Sequence, residues 1–493
     1  MSKPYAIHWF RRDLRVAGNP VLSHLWKTYE GRVLGLFCFD HSFLSRDDFS
    51  VNRFAFFLDS LKHLRSELRE AGGDLLVMDI GPAHAFEKLF DQILQQENHL
   101  PECVGWCTDY EPFARKRDEG MKDFLESRGV SFFSHRDHVL IEPHELCKPG
   151  TDQGYQVYSP FAKRWIDLFQ TPEIQTRIQQ AKRGVDYLRS VEKKKTTSLF
   201  AMKWNDVLPA TNFREDLLEE YIACNKKKVT VEIPATGSQA VLERLEHFSK
   251  HIDDYADERD IPSHPGTSMF SMYLKNGSLT LALIVAFYEL RAYKKKNESG
   301  RAMFLSELIW REFYYHILYR HPHVEHESFL EKYRGLRWEN DEKKFSAWKE
   351  GKTGFPIVDA GMRELKTTGW MHNRVRMIVA SFLTKDLLID WRWGEKYFME
   401  QLLDGDLAPN NGGWQWAAST GCDPQPYFRI FNPWSQSKKF DPDGTYIKTF
   451  VPELSKISSD KLHDPQSMAA NYIPQIVDHS SQREKALKLY KQG

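Results

Sequence analysis

The order of apolar runs along the chain is the feature that most constrains its fold. Runs rich in β-branched and aromatic residues occur at 5–10, 32–40, 72–81, 103–110 and 130–137. Stretches with apolar residues at helical spacing separate them, and such strand–helix alternation predicts a parallel sheet with helices on its faces. From about residue 238 the spacing is helical almost throughout, which predicts an all-α second half.

These patterns divide the chain into three predicted parts. Residues 1–135 are predicted to form an α/β domain with a Rossmann-like parallel sheet, 136–235 a connector with partial helix, and 236–493 a large all-α domain. The G-x-G-x-x-G fingerprint is absent from the first part, so it is not a standard dinucleotide-binding half.

Charge and targeting signals narrow the class of protein. Lys+Arg and Asp+Glu both number 68, which excludes a polycationic coat protein but not a local basic patch. The N-terminus lacks the apolar core of a signal peptide, and no apolar run approaches membrane-spanning length. The six cysteines include no C-x-x-C pair. We expect a cytoplasmic, monomeric protein with reduced thiols, no membrane partner and no metal site.

Tryptophan is concentrated in one part of the chain, because nine of the 14 fall within 310–434. The segment 404–442 combines this excess with many Gly, Asn and Pro residues. Trp414 and Trp416 lie two apart, so on a helix they face different directions. One could face an internal cofactor and the other an outer cavity; the alternative is a tryptophan-rich core loop. Asp404 and Asp406 could bond sugar hydroxyls or simply cap a helix.

A second candidate site lies in the segment SELIWREF. Its spacing places Glu307, Trp310 and Arg311 on neighbouring parts of one helix surface. A carboxylate beside an aromatic plate suits a nucleic-acid base, which has a π face and hydrogen-bonding edges. The spacing alone favours the simpler interpretation, a surface ion pair between Glu307 and Arg311.

Three further arginines need anionic partners. Arg374 and Arg376 lie two apart, so they point to different faces of a helix; one could meet phosphate while the other pairs inward, with Asp404 as a candidate partner. Arg429 lies among apolar residues and requires an anion or a carboxylate if it is buried.

Longer motifs in a fixed order resemble the photolyase/cryptochrome family. They are HWFRRDLR, GTSMFSMYL, ELIWREFYYH, EGKTGFPIVDAGMREL, GWMHNRVRMIVASFLTKDLLIDWR, YFMEQLLDGDLAPNNGGWQWAASTGCDPQPYFRIFNP and KFDPDG. The resemblance covers nearly the whole chain. It implies an N-terminal α/β antenna domain and a helical domain that holds FAD. It also implies either light-driven repair of pyrimidine dimers in DNA or a blue-light photoreceptor role.

The resemblance assigns roles to individual residues. Positions that match FAD contacts are Tyr255, Thr267, Ser268, Ser271, Arg311, Arg376, Asp404, Asp406 and Asn410. Among them, Arg376 matches the partner of Asp404, which implies that Arg376 is the arginine that pairs inward. Positions that match the tryptophan chain carrying an electron to photoexcited flavin are Trp414, Trp391 and Trp338. Positions that match the pocket for the flipped dimer are Glu307, Trp310, Asn373, Met377 and Trp416. Positions that match contacts to the DNA backbone are Arg259, Arg374 and Arg429.

Two details of the resemblance distinguish branches of the family. His372 is followed by Asn373, where relatives that repair the (6-4) photoproduct carry a His pair. Together with Glu307 and Met377, this favours the class I type, which repairs cyclobutane pyrimidine dimers. Asn410 also resembles the repair members, whereas some photoreceptor members replace it; a cryptochrome of the same fold is the alternative.

Three positions, in two segments, depart from the family pattern. Met269 stands where many relatives carry Arg or Lys, so one contact to an FAD phosphate is in question. Phe113 and Ala114 stand where folate-binding relatives carry Asn-Glu. The second, antenna chromophore implied by the family is therefore left open between deazaflavin, folate and none.

Overall fold

The computed structural model describes residues 3–192, 199–209, 214–293 and 298–491. Its first part contains a five-stranded sheet in the order β3-β2-β1-β4-β5, and every pairing in it is parallel. The strands are β1 (Ala6–Trp9), β2 (Val33–Cys38), β3 (Leu75–Met78), β4 (Cys103–Cys107) and β5 (Ser131–His135).

Helices cover both faces of this sheet. They are α1 (Pro20–Thr28), α2 (His41–Leu44), α3 (Val51–Glu70), α4 (Pro82–Glu97) and α5 (Pro112–Ser127). Leu25 of α1 and Leu61 of α3 pack in one hydrophobic cluster, and Leu89 of α4 and Leu125 of α5 pack in another. Strands buried on both faces need continuous apolar runs, which explains why β2 is buried at every residue.

The rest of the described chain is helical. Its α-helices are α6 (Tyr158–Phe169), α7 (Pro172–Glu192), α8 (Leu217–Lys226), α9 (Gly237–Phe248), α10 (Tyr255–Glu258), α11 (Ser271–Asn276), α12 (Leu281–Phe287), α13 (Gly300–Arg320), α14 (Glu342–Lys349), α15 (Pro356–Thr368), α16 (Asn373–Ser381), α17 (Trp391–Gln401), α18 (Leu407–Ala417), α19 (Pro433–Phe440), α20 (Thr445–Phe450), α21 (Ser459–Leu462), α22 (Pro465–Asn471) and α23 (His479–Lys491). The predicted fold class, a parallel α/β part followed by a large helical part, is confirmed.

The segment between the sheet and the later helices packs against both parts. Helix α7 lies along α12, α6 packs on α13, and α8 packs on α3. Helix α13 is central to the second part, and its first turn is capped by the Ser299 hydroxyl, which accepts from the amide of Ala302 at 3.2 Å.

Membrane insertion finds no support in the described helices. None of them combines the length and the apolar composition that a bilayer crossing requires.

Candidate active site

A cavity of about 480 Å³ opens among α13, α16 and α18. This volume lies in the range of ordinary ligand pockets. Its walls bring together most of the residues predicted from the sequence: Arg259, Ser271, Glu307, Trp310, Arg311, Asn373, Arg374, Arg376, Met377, Asp404, Asp406, Asn410, Trp414 and Trp416. These residues come from segments more than 150 positions apart, so only the packing of the helices assembles them.

One wall of the cavity is a pair of stacked rings. The ring of Trp310 lies over that of Tyr158, with centroids 3.6 Å apart and planes at 5°. The Tyr158 hydroxyl lies 2.8 Å from both the carbonyl and the hydroxyl oxygen of Ser306. This support fixes the indole as a rigid, flat surface. Tyr158 is absent from the residues predicted for the site, because nothing in its local sequence links it to Trp310.

Glu307 forms an ion pair, but not with the partner that spacing favours. Its Oε1 accepts from Arg259 at 2.5 Å, whereas Arg311 donates to the carbonyl of His138 at 2.8 Å. The predicted Glu307–Arg311 pair is therefore wrong. A separation of four residues permits a pair along one helix, but Arg259, which directly follows α10, reaches the carboxylate instead.

The arginine at the start of α16 is also engaged with a carboxylate. Arg374 donates to Oδ1 of Asp260 at 2.8 Å, and its guanidinium lies 4.2 Å from the ring centroid of Phe440. The same Asp260 oxygen lies 3.8 Å from Nε of Arg259. Two of the predicted DNA-contacting cations thus share one carboxylate, which the sequence reasoning missed.

His372 fixes the first turn of α16. Its Nδ1 accepts from the amide of Arg374 at 3.1 Å, so the ring serves as the helix cap. Burial lowers the pKa of His372 to about 4. The ring is consequently neutral near pH 7, as an acceptor nitrogen must be.

The predicted inward pairing of Arg376 with Asp404 is present. One guanidinium nitrogen donates to both carboxylate oxygens of Asp404, at 2.9 and 3.1 Å, and Nε donates to the carbonyl of Met371 at 2.7 Å. The Asp404 side chain is only 3% exposed. A buried carboxylate of this kind needs its cationic partner, so the pair fixes the loop that precedes α18.

Asp406 is held in a cluster of cations that joins the two parts of the fold. Its oxygens accept from Arg12 at 2.9 Å and from the Tyr315 hydroxyl at 2.7 Å, and Lys275 lies at 3.4 Å. Burial alone would raise the pKa of Asp406, but the charges of Lys275, Arg12 and Arg311 hold it well below its usual range. Asp406 therefore stays ionised and positions Arg311 at the cavity wall.

Helix α18 contributes Asn410 and Trp414 to the cavity. The Asn410 amide donates to the carbonyl of Glu395 at 3.1 Å, which leaves its oxygen as an acceptor with no partner among the described residues. The indole N–H of Trp414 is buried and is likewise without a hydrogen-bond partner there. At Gly413, an added Cβ would meet no atom within 4 Å.

These features suit a flat ligand with hydrogen-bonding edges. Small residues let such a ring approach the backbone, and the unsatisfied groups of α18 are ready to meet it. Four arginines and three carboxylates line the cavity, which leaves a positive balance that suits a cofactor with phosphate groups. The residues present therefore fit a flavin nucleotide such as FAD.

The three tryptophans of the predicted electron chain share one hydrophobic cluster. Trp414 and Trp391 are buried in it, and Trp338 packs against it. The Trp414 ring meets Phe398 at 4.9 Å and Trp348 at 6.1 Å between centroids. The Trp338 ring meets that of Tyr490, on the last helix, at 6.0 Å.

Six predicted residues lie outside the wall of the cavity. Tyr255, Thr267, Ser268, Trp338, Trp391 and Arg429 do not line it. Arg429 is exposed, so it requires no buried counter-charge. Met269, a position that departs from the family, has a left-handed backbone with φ of 56°, two residues before the start of α11. Its thioether supplies no positive charge there.

The fold and the cavity define a protein with a parallel α/β part and a helical part that holds a flat nucleotide cofactor. Comparisons with known proteins identify the family. The sequence model described as "FAD binding domain of DNA photolyase" matches residues 304–492, and the one described as "DNA photolyase" matches residues 6–179. The chain belongs to the photolyase/cryptochrome family.

Similar proteins match along the full length. The deoxyribodipyrimidine photo-lyase of Vibrio cholerae is 37% identical, and the alignment covers 98% of each chain. The structure of a class III photolyase from Agrobacterium tumefaciens has a TM-score of 0.83 and 32% identity, covering 100% of this chain and 98% of that one. A Sulfolobus tokodaii photolyase structure with two FAD molecules has a TM-score of 0.76 and 29% identity, covering 99% and 100%.

Proposed function

We propose that the protein repairs cyclobutane pyrimidine dimers in DNA under light, with FAD in the cavity of the helical part. The observation that carries the proposal is the composition of that one cavity. It joins a carboxylate and two aromatic walls (Glu307, Trp310 and Trp416) to groups suited to a flavin nucleotide (Arg376 and Asn410). Full-length relatives carry the name deoxyribodipyrimidine photo-lyase, which supports the same activity.

The cofactor supplies the light-driven electron, and the protein supplies binding and orientation. Arg311 and Ser271, which line the cavity, would hold phosphate or sugar groups, and the acceptor oxygen of Asn410 would meet a ring edge. The Arg376–Asp404 pair holds part of the cavity wall in place. Trp414, buried to 2% exposure, excludes water from that side.

A dimer inside a duplex cannot reach such a cavity, so it must leave the base stack. Photolyases flip the damaged bases out of the duplex, and the free-energy cost of flipping is smaller for a lesion that pairs and stacks poorly. The stacked Trp310–Tyr158 pair offers a preformed apolar wall, and Trp416 lines the same space. Glu307 and Asn373 supply hydrogen-bonding groups beside these walls.

Phosphate contacts position the DNA over the cavity opening. Arg259 and Arg374 line the cavity, and Arg429 is an exposed cation on the chain segment after α18. Because the whole chain has zero formal net charge, binding must depend on such local cations. We therefore expect the affinity for damaged DNA to fall as salt rises, through a small number of phosphate contacts.

The alternative is a blue-light photoreceptor of the same fold. Retention of Glu307, Asn410 and both pocket tryptophans favours repair. The class I type rests on the His372–Asn373 pair with Met377, whereas the Agrobacterium tumefaciens protein of similar structure is a class III photolyase. Both types are photolyases, so the proposed reaction is the same.

The substitution Glu307→Ala tests the proposal. The FAD-loaded variant should split dimers in an oligonucleotide more slowly under blue light, because one hydrogen-bonding group beside the dimer is lost. DNA affinity should not fall, because the change frees Arg259 from its ion pair. The exposed Glu342 on α14 provides the control Glu342→Ala. Equal rates of thymine recovery in wild type and Glu307→Ala would refute the role of Glu307.

A second cavity, of about 150 Å³, lies between the sheet and α3 and is proposed to hold the second chromophore. It is lined by Phe37, Phe39, Phe54 and Phe57, and also by Phe113 and Ala114. Arg53 lines it too, and burial lowers the pKa of that guanidinium to about 10. A buried cation beside aromatic rings suits an anionic ring system.

The absorbance of chromophores extracted from purified protein distinguishes the candidates. Deazaflavin, folate and FAD have different absorbance spectra. The extract of wild type should contain the FAD of the active site and one further equivalent of chromophore. The variant Phe54→Trp, whose larger side chain fills the second cavity, should lack that further equivalent. Release of one equivalent of FAD alone from wild type would overturn the proposed second site.

A further inference from the structure

A groove of about 570 Å³ shares no lining residue with the two cavities above. It is lined by residues of α1, the end of β5 and helix α7, together with Thr280 and Ala282. Its volume exceeds that of the candidate active site. None of the residues predicted from the sequence lines it, so the proposed repair reaction leaves it without a role.

The groove carries cations that form no ion pair with the described side chains. Arg136, Arg183 and Lys27 line it, and none of them has a carboxylate within ion-pair distance among the described side chains. The one carboxylate in the lining, Asp137, is already bonded to both terminal nitrogens of Arg15, at 2.5 and 2.8 Å. Arg177 is likewise paired, with Glu145 and Glu173.

Arg136 is the most informative of the three cations. It is half-buried, and among the described residues its guanidinium is hydrogen-bonded to one side chain, at Nε2 of His135, 2.9 Å away. Burial and the nearby charge of Arg177 both lower the pKa of Arg136, and the charges of Glu145 and Glu142, which lie beyond ion-pair distance, offset part of that effect. A half-buried guanidinium with no directly bonded carboxylate is costly, and an anion from solution would reduce that cost.

Aromatic rings form the wall next to these cations. The imidazole of His24 stacks on Phe133, with centroids 3.9 Å apart and planes at 19°. Phe133 in turn lies 6.1 Å from the ring of His135, at 20°. Trp26, on the same helix as His24, is 38% exposed and lines the groove. Such a wall offers a surface on which a flat ring can stack.

We propose that this groove binds a small phosphorylated heteroaromatic ligand, of the mononucleotide class. The phosphate lies against Arg136, and Arg183 and Lys27 neutralise the rest of its negative charge. The ring of the ligand lies against His24 and Trp26. The combination of unpaired cations and stacked rings in one groove recognises both halves of such a ligand. The site is separate from the flavin cavity and does not depend on the repair reaction.

The test uses the FAD-loaded protein and the fluorescent probe 1,N6-ethenoadenosine monophosphate, followed by fluorescence anisotropy. Saturable binding is expected, with inorganic phosphate as a weaker competitor because it lacks the ring. The double variant Arg136→Gln/Arg183→Gln should weaken binding at least about tenfold, since charge-assisted hydrogen bonds are each worth roughly that factor. The variant Trp26→Ala should weaken probe binding while the competition by phosphate persists.

Arg189 provides the matched control. It is exposed, lies on α7 like Arg183, and is outside the groove, with its guanidinium 5.3 Å from the Phe287 ring centroid. Arg189→Gln should bind the probe as wild type does. Absence of saturable binding at millimolar probe, or equal binding by the double variant, would overturn the proposal. Displacement of the probe by a single-stranded oligonucleotide at far lower concentration would instead assign the groove to nucleic acid and overturn the small-ligand assignment.

Discussion

We expect the carboxylate of Asp260 to weaken the affinity of the protein for DNA. In the structure it holds Arg374 at 2.8 Å and lies 3.8 Å from Arg259. Both arginines are proposed phosphate contacts, so a DNA phosphate must compete with this side chain. The substitution Asp260→Asn removes the competing charge and keeps the size of the side chain. The variant should therefore bind DNA more tightly than wild type.

The size of the effect follows from the exposure of the pair. The side chains of Asp260 and Arg374 are 37% and 17% exposed. Ion pairs in such partly solvated positions contribute about 0.2–1 kcal/mol, because water and salt screen them. Release of this competition corresponds to about a 1.4- to fivefold increase in affinity. Phosphates carry no information about the lesion, so damaged and undamaged duplexes should gain by the same factor.

The assay is a titration of labelled duplexes, with and without a dimer, followed by fluorescence anisotropy at several salt concentrations. The gain should shrink as salt rises. Asp257→Asn is the matched control, because Asp257 is exposed, lies three residues away and removes the same formal charge. Unchanged or weaker binding by Asp260→Asn, or an equal gain by Asp257→Asn, would falsify the proposed competition.

Three further predictions concern stability. Burial raises the pKa of Glu395 to about 8, so the folded protein favours the protonated carboxyl. Its contribution to the free energy of unfolding is therefore full below pH ~4.5 and is lost as the pH rises towards ~8, by up to about 1.4 kcal/mol per pH unit. Urea titrations should show that Glu395→Gln flattens this dependence, and an unchanged slope would contradict it. At Gly394 an added Cβ would overlap the Trp414 ring, so Gly394→Ala should lower the free energy of unfolding by about 1–3 kcal/mol. Urea titrations measure this loss, and an unchanged free energy of unfolding would show that the ring moves freely aside. A double-mutant cycle of Trp310→Ala and Tyr158→Ala should give a coupling of about 0.5–1.5 kcal/mol, and additive effects would exclude the stacked pair as a unit.

Local periodicity was sufficient to predict the elements of this fold. The run 32–40 became β2, which is buried on both faces, and the stretch around Glu307 became the long helix α13. The reason is that a buried parallel strand and an amphipathic helix each impose their own spacing on apolar residues. The pairing of Arg376 with Asp404 was predicted through the family resemblance, because spacing alone does not show which of Arg374 and Arg376 turns inward.

Partners across the fold were not predictable in the same way. Spacing favoured Arg311 as the partner of Glu307, yet Arg259 occupies that place and Arg311 turns to the carbonyl of His138. A spacing of four residues shows which side chains can meet on one helix. It does not show which residue of another helix competes for the same carboxylate.

The sequence by itself determined the types of element, their order and the kinds of residue available for a flavin and a damaged base. Only the tertiary structure decided that Tyr158 supports Trp310, that Asp260 lies beside two arginines proposed to contact DNA, and that Arg136 lines a groove with no ion-pair partner among the described residues. The physical reason is that hydrophobic periodicity is a local property of the chain. Stacking, ion pairing and cavities depend on distances between segments that are far apart in sequence, and packing alone sets those distances.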